Sequence, residues 1–171
     1  NYGVKALKLN YINEPLIYYK KVIKLAQFAK KKGIVDIYFT TNGSLMKREV
    51  SKELIDSECF TRIQVSLDAA TEEIYKKIRI GGELSNVEKN IKDFLREREL
   101  RNSQWPKIRV SFLMLPENEH ESSHFEEKWK DSVDAIALQS SVLKPNSTRE
   151  NKEKYKELRT AFCPNPFRQL V

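Results

Sequence analysis

The sequence predicts an α/β fold built on a parallel sheet, and three observations carry that prediction. Short apolar runs of β-forming residues alternate with longer segments of helical period. The order is β-α-β-α-β-α-β-α-β, and strands joined by crossover helices pair in parallel with right-handed connections. Glycine, proline and asparagine punctuate the changes of period. An open doubly wound sheet and an open barrel both satisfy this order, and periodicity alone does not separate them.

The elements follow in turn. Val4–Leu9 reads as the first strand. Leu16 to Lys32 reads as a helix with Leu16, Tyr19, Val22, Ile23 and Ala26 on one face and lysines opposite. Gly33 stops it. Val35–Phe39 is a run suited to a buried parallel strand, and Leu45 to Ser57 a second helix. Ile63–Leu67 is the third strand. Thr71 to Ile78 reads as a short helix interrupted by Gly81-Gly82. Ser85 to Leu100 is a longer helix, with Ser85-Asn86-Val87-Glu88 as its expected capping box. Ile108–Leu115 is the fourth strand, ended by Pro116. Phe125 to Lys130 belongs to a short helix and Val133–Leu138 to the fifth strand.

The texture changes after Gln139. Residues 141–171 read as a polar, charge-dense linker followed by Cys163-Pro164-Asn165-Pro166-Phe167, the expected start of a second unit after a first of residues 1–140. The chain begins Asn1-Tyr2-Gly3 and enters an apolar strand almost at once, which reads as a segment of a longer protein.

Composition narrows the function classes. The 171 residues are 40% hydrophobic and 32% charged, as in a globular domain. No apolar stretch nears the roughly 20 residues of a bilayer span. Two cysteines, Cys59 and Cys163, are too few for a disulfide scaffold or a cysteine-only metal site, and a reducing, cytoplasmic setting is expected. The net charge of +7 comes largely from lysines on helix surfaces, such as Lys30-Lys31-Lys32. Aromatic residues do not interleave with a basic patch, which argues against nucleic acid as the main partner.

Parallel α/β folds bind ligands beyond the carboxyl ends of their strands. The first strand leads into Asn13-Glu14-Pro15, where Glu14 can face the barrel mouth and pair with an ammonium group or cap the helix that Pro15 opens. The second ends in Thr40-Thr41-Asn42-Gly43, a turn in which Asn42 can cap or bind. The third ends in Ser66-Leu67-Asp68, where alternation points Ser66 and Asp68 to one side, or Asp68 caps the next helix. Arg79, between Ile78 and Ile80, can bind a carboxylate or pair with Glu83. Gln139 ends the fifth strand and offers an amide.

Each signal is modest, but their order is specific. Asn-Glu-Pro-Leu, Thr-Thr-Asn-Gly, Val-Ser-Leu-Asp-Ala and Ile-Arg in succession resemble the radical S-adenosylmethionine (SAM) superfamily, and more narrowly the members with a cysteine-rich, SPASM-type extension. The resemblance spans Val4 to Phe167. It implies a partial (βα)6 barrel of TIM type, with about five of six strands here and SAM at the strand tips. It implies contacts to SAM from Glu14, Asn42, Ser66, Asp68, Arg79 and Gln139, although Asn13 stands where the family usually has glycine. Cys163 resembles the first auxiliary-cluster cysteine. The family's C-x3-C-x2-C triplet has no counterpart in this sequence, so the ligands of the reductive [4Fe–4S] cluster would lie outside it and the segment alone would be inactive. In a complete enzyme the resemblance implies reductive cleavage of SAM to a 5′-deoxyadenosyl radical. That radical would abstract hydrogen from a peptide or small molecule, with a flavodoxin or ferredoxin as electron donor.

Two other readings stand beside this one. The same fold can serve as a non-catalytic binding domain. His120-Glu121-Ser122-Ser123-His124 fits the H-E-x-x-H zinc protease pattern. It lies in a polar stretch just after Pro116, where a loop or fraying first turn is expected, and the chain has no third histidine.

Overall fold

A computed structural model describes residues 3–10 and 12–140. Five strands, β1 (Ala6–Lys8), β2 (Asp36–Thr41), β3 (Arg62–Ser66), β4 (Lys107–Met114) and β5 (Ala135–Ser140), form one sheet in sequential order. Every neighbouring pair is parallel. The connecting helices are α1 (Tyr19–Lys31), α2 (Arg48–Asp56), α3 (Glu72–Ile78), α4 (Leu84–Leu100) and α5 (Ser122–Trp129). A 3-10 turn over Pro15–Tyr18 precedes α1, and another over Glu119–Glu121 precedes α5.

The strand order decides between the two architectures. A doubly wound sheet reverses direction at a switch point and carries helices on both faces. Here the order never reverses. One core cluster joins Ile37, Phe39, Ile63, Val65, Ile108, Val110 and Phe112, from one face of the sheet, to residues of all five helices. The alternating burial of β3 shows the same asymmetry: Ile63 and Val65 are buried, whereas Arg62, Gln64 and Ser66 are half-buried. Helices on one side of a parallel, sequential sheet make a partial TIM-type barrel, as expected.

Several boundaries differ from the sequence expectation. β1 is three residues, because Leu9 continues toward the loop with only its N–H paired, to Tyr38. The helix expected from Leu45 begins at Arg48, after a turn closed by Met46 N–H donating to Gly43 O. The expected capping box fails. α4 starts at Leu84, its N-cap Glu83 makes no side-chain cap, and Ser85 N–H donates to Glu72 Oε2 at 3.1 Å. A carboxylate from the preceding helix thus occupies the role assigned to Glu88. Gly43 is required sterically. It has φ +78°, and a Cβ there would lie 2.7 Å from Val87 Cγ1 and 2.8 Å from Val65 Cγ1.

Candidate functional site

The tip of the first two strands is built around one carboxylate. Glu14 ends the loop after β1, in extended backbone, and caps the 3-10 turn that Pro15 opens. Its Oε1 accepts from Leu16 N–H at 3.0 Å and Thr41 Oγ1 at 2.8 Å, and its Oε2 accepts from Asn42 N–H at 2.8 Å. The cap and the rim position are therefore one arrangement: the same three donors fix the carboxylate at the mouth. Asn10 makes this possible. Its side-chain amide pairs with both backbone groups of Thr40, donating to the carbonyl at 2.9 Å and accepting from the N–H at 2.8 Å. This mimics a continued strand and delivers the loop to the tip of β2. Nothing in the sequence pattern singled out Asn10; its only signal is a short amide just past an apolar strand.

Asn42 follows at the end of β2. Its Oδ1 accepts from Ser44 N–H at 2.9 Å and Ser44 Oγ at 2.7 Å, an Asx turn around Gly43. Its side-chain NH2 makes no hydrogen bond among the described residues. Ser66 is the last residue of β3, opposite Ser111 of β4. It is half-buried, and its hydroxyl has no partner among the described residues.

Asp68 does not follow the alternation expected of it. β3 ends at Ser66, and Asp68 adopts φ +61°, so the period of two stops before reaching it. Its carboxylate is buried and turns inward. Oδ1 accepts from Leu113 N–H at 2.8 Å, and Oδ2 takes the Arg79 guanidinium in an ion pair. Arg79, just past α3, thus pairs with Asp68 and not with Glu83. Its Nε and second Nη make no hydrogen bond among the described residues. Gln139 is exposed on β5, opposite Leu113. Cys163 lies outside the described residues. Cys59 is buried, as expected of a small apolar side chain, and its Sγ donates to Ser57 O.

Two further residues hold the β3–β4 tip. Asn118 is fully buried; its Nδ2 donates to Asp68 O at 2.7 Å and Leu113 O at 2.9 Å, while Oδ1 accepts from Leu115 N–H. Glu121 accepts from Ala70 N–H at 2.7 Å, from Thr71 N–H and from the Thr71 hydroxyl, at the start of α3. Burial alone would raise its pKa, yet these donors hold the carboxyl below the usual glutamate range. The H-E-x-x-H segment is thereby explained without zinc. It forms a 3-10 turn running into α5, the first turn of a helix that was expected as the alternative to a loop. Its glutamate is occupied as a helix-start acceptor, and both histidines are exposed. No cluster of three metal-ligating side chains occurs among the described residues.

The tips therefore bring Glu14, Asn42, Ser66 and Arg79 to one end of one sheet, with Gln139 at the far strand. Behind them, the face opposite the helices carries polar residues. Gln64 donates to Ser111 Oγ at 3.3 Å, and Arg62 packs 3.7 Å from the Tyr38 ring centroid while pairing with both Asp36 oxygens at 2.8 and 2.9 Å.

Comparisons with known proteins bear on the family and the fold. The family model described as "Radical SAM superfamily" matches residues 11–127. A probable GTP 3′,8-cyclase of Methanococcus maripaludis is 34% identical over 114 residues, covering 67% of this chain and 35% of the relative. One from Methanocaldococcus jannaschii is 37% identical over 91 residues, 53% of this chain and 29% of the relative. The GTP 3′,8-cyclase of Alkaliphilus metalliredigens is 35% identical over 83 residues, 48% of this chain and 25% of the relative. The chain spans about a third or less of the length of these relatives. Among solved structures, a radical SAM methyltransferase from Sphaerobacter thermophilus shares the fold with a TM-score of 0.56 at 11% identity, over 90% of this chain and 47% of that one.

Proposed function

This chain belongs to the radical SAM superfamily, and from that premise we propose that it forms the SAM-binding wall of an enzyme that abstracts hydrogen from its substrate. The superfamily uses SAM and a [4Fe–4S] cluster. When bound, the pair supplies one-electron chemistry that the protein's own side chains cannot, and the chain's task is to bind, orient and exclude water.

The donor set at the tips fits SAM. The single observation that carries the reading is the Glu14 carboxylate, clamped at the mouth by three donors with Oε2 engaged by only one of them. A rigid, half-buried anion at that point suits an ammonium group. The hydroxyl of Ser66, unpartnered among the described residues, suits a ribose, and the NH2 of Asn42, likewise unpaired there, suits an acceptor on the same ligand. Arg79 offers its unused guanidinium edge to a carboxylate, with Asp68 as the residue that positions it. Gln139 supplies an amide from the fifth strand. The cluster is a separate matter. Three thiolates are not among these 171 residues, whose cysteines number two, so no step is assigned to side chains of this chain at the cluster.

The same reading makes residues 141–171 a linker and the start of a SPASM-type extension, with Cys163 as an auxiliary-cluster ligand. It takes a flavodoxin or ferredoxin as reductant and a cytoplasmic setting. No helix among the described residues is long and apolar enough to cross a membrane. The substrate is a peptide or small molecule; the names of the relatives make GTP the first to try.

Equilibrium dialysis against labelled SAM tests the proposal. The chain should bind saturably at one site, and Ser66→Ala and Arg79→Ala should each weaken binding several-fold. Absence of saturable binding, or affinity indifferent to both changes, overturns it.

A further inference from the structure

We propose that the open face of the sheet, below the strand tips, is an oxyanion subsite in which Arg109, flanked by Gln64, holds a phosphate or carboxylate group of the substrate. In a closed TIM barrel the interior positions are layers of Val, Ile and Leu packed as a core. The corresponding layers here are polar. Register places Lys8, Tyr38, Arg62 and Lys107 in the lowest layer, Thr40, Gln64, Arg109 and Ala135 in the next, and Ser66, Ser111 and Ala137 at the tip. Such a lining excludes a dry core and calls for water or a ligand.

Two cations on this face, Lys8 in the lowest layer and Arg109 in the middle one, have no ion pair among the described residues. Arg62 is neutralised by Asp36, and Lys107 lies 3.3 Å from Asp134 Oδ1. Asp134 is itself held by Arg98 and by Ile108 N–H. Arg109 is half-buried in the middle layer and has neither an ion pair nor a hydrogen bond among the described residues. A partly desolvated guanidinium with no anion is an unfavourable arrangement that a bound oxyanion reverses. Alanines at 135 and 137 on the neighbouring strand leave room beside it. Arg109 lies two residues, about 6–7 Å at strand spacing, below the Ser66–Ser111 tip. An anionic group anchored there leaves the rest of a small molecule directed toward the mouth. Arginine's planar fork suits either oxyanion bidentately.

The inference takes the tips as the SAM end, and the experiment separates the two. Calorimetry with the full chain uses tripolyphosphate in one arm and tricarballylate in the other, and needs neither SAM nor turnover. At least one should bind, the tighter arm naming the source of the oxyanion. Arg109→Gln should lower that affinity about tenfold or more, with Arg109→Lys intermediate. Lys24→Gln, an exposed lysine of α1, should leave it unchanged, and circular dichroism should match wild type in all three. Binding of neither anion, or equal losses in Arg109→Gln and Lys24→Gln, overturns the subsite. So does an Arg109→Gln effect on SAM affinity in place of anion affinity. If the anion binds as expected and SAM does not, the SAM reading alone falls.

Discussion

Replacing Glu14 separates its two roles. Its carboxylate accepts from Leu16 N–H, Thr41 Oγ1 and Asn42 N–H. Hydrogen bonds to a charged group contribute about 1.5–3 kcal/mol each when buried, but this site is half-buried and water reaches released donors, so the total is smaller. Loss of an N-cap alone costs about 0.5–2 kcal/mol. Glu14→Ala should therefore destabilise by about 2–3 kcal/mol. Glu14→Gln keeps a carbonyl oxygen for Leu16 and Thr41, but turns its NH2 toward Asn42 N–H, donor against donor. It should cost about 1–2 kcal/mol. Urea unfolding followed by tryptophan fluorescence reads both. SAM affinity should instead fall similarly in the two variants, because either removes the charge that meets the ammonium. A Glu14→Ala protein with the wild-type unfolding midpoint refutes the cap. A Glu14→Gln protein that binds SAM as wild type refutes the ammonium contact.

Gly43→Ala combines a left-handed φ with contacts under 3 Å to Val65 and Val87. It should lose about 2–4 kcal/mol, and adding Val87→Ala should not restore the strained-backbone part; full recovery in the urea midpoint would contradict this. Four carboxyls have depressed pKa values: exposed Glu73, through its hydrogen bond from Lys77, and three that are more deeply placed. Glu97 is lowered chiefly by hydrogen bonding to Arg48, against burial and with help from Arg101; Glu121 and Asp134 are lowered by their donors against burial. Such groups bind protons more weakly folded than unfolded. Their stabilisation is thus complete above the ordinary carboxylate range, about pH 4, and is lost as pH falls through the depressed folded values. Glu121→Gln should flatten that acid limb in unfolding curves taken from pH 6 to 2; an unchanged slope would exclude Glu121 from it. Metal analysis after purification without chelator should find no stoichiometric zinc, whereas one ion per chain bound through His120 and His124 would reverse the reading of that motif.

The parts legible in the sequence share a property: they repeat locally or sit at fixed offsets. The alternation of β3 and the 3.6-residue period of α1 and α4 reflect which side of each element meets the core, and neighbours along the chain encode that. The placement of Glu14, Asn42 and Ser66 at the strand tips was legible because each stands where an apolar run gives way to polar residues. Asn10, Asn118 and Glu121 were not legible. Each acts on backbone groups 30 to 51 residues away, at Thr40, Asp68 and Ala70, and no local pattern records such partners. The capping box at Ser85 misled because Glu72, from another helix, already held the N–H that the motif offered.

The sequence by itself determined the order of strands and helices, the parallel pairing that order demands, and the polar residues waiting at the strand ends. Only the tertiary structure decided that the sheet winds in one direction, that Asp68 turns inward to hold Arg79, and that Arg109 lies on the face opposite the helices without a counter-charge among the described residues. The first set follows from backbone geometry and hydrophobic period, which act over a few residues. The second depends on which groups meet through space, where burial and charge pairing are settled by contacts far apart in the chain.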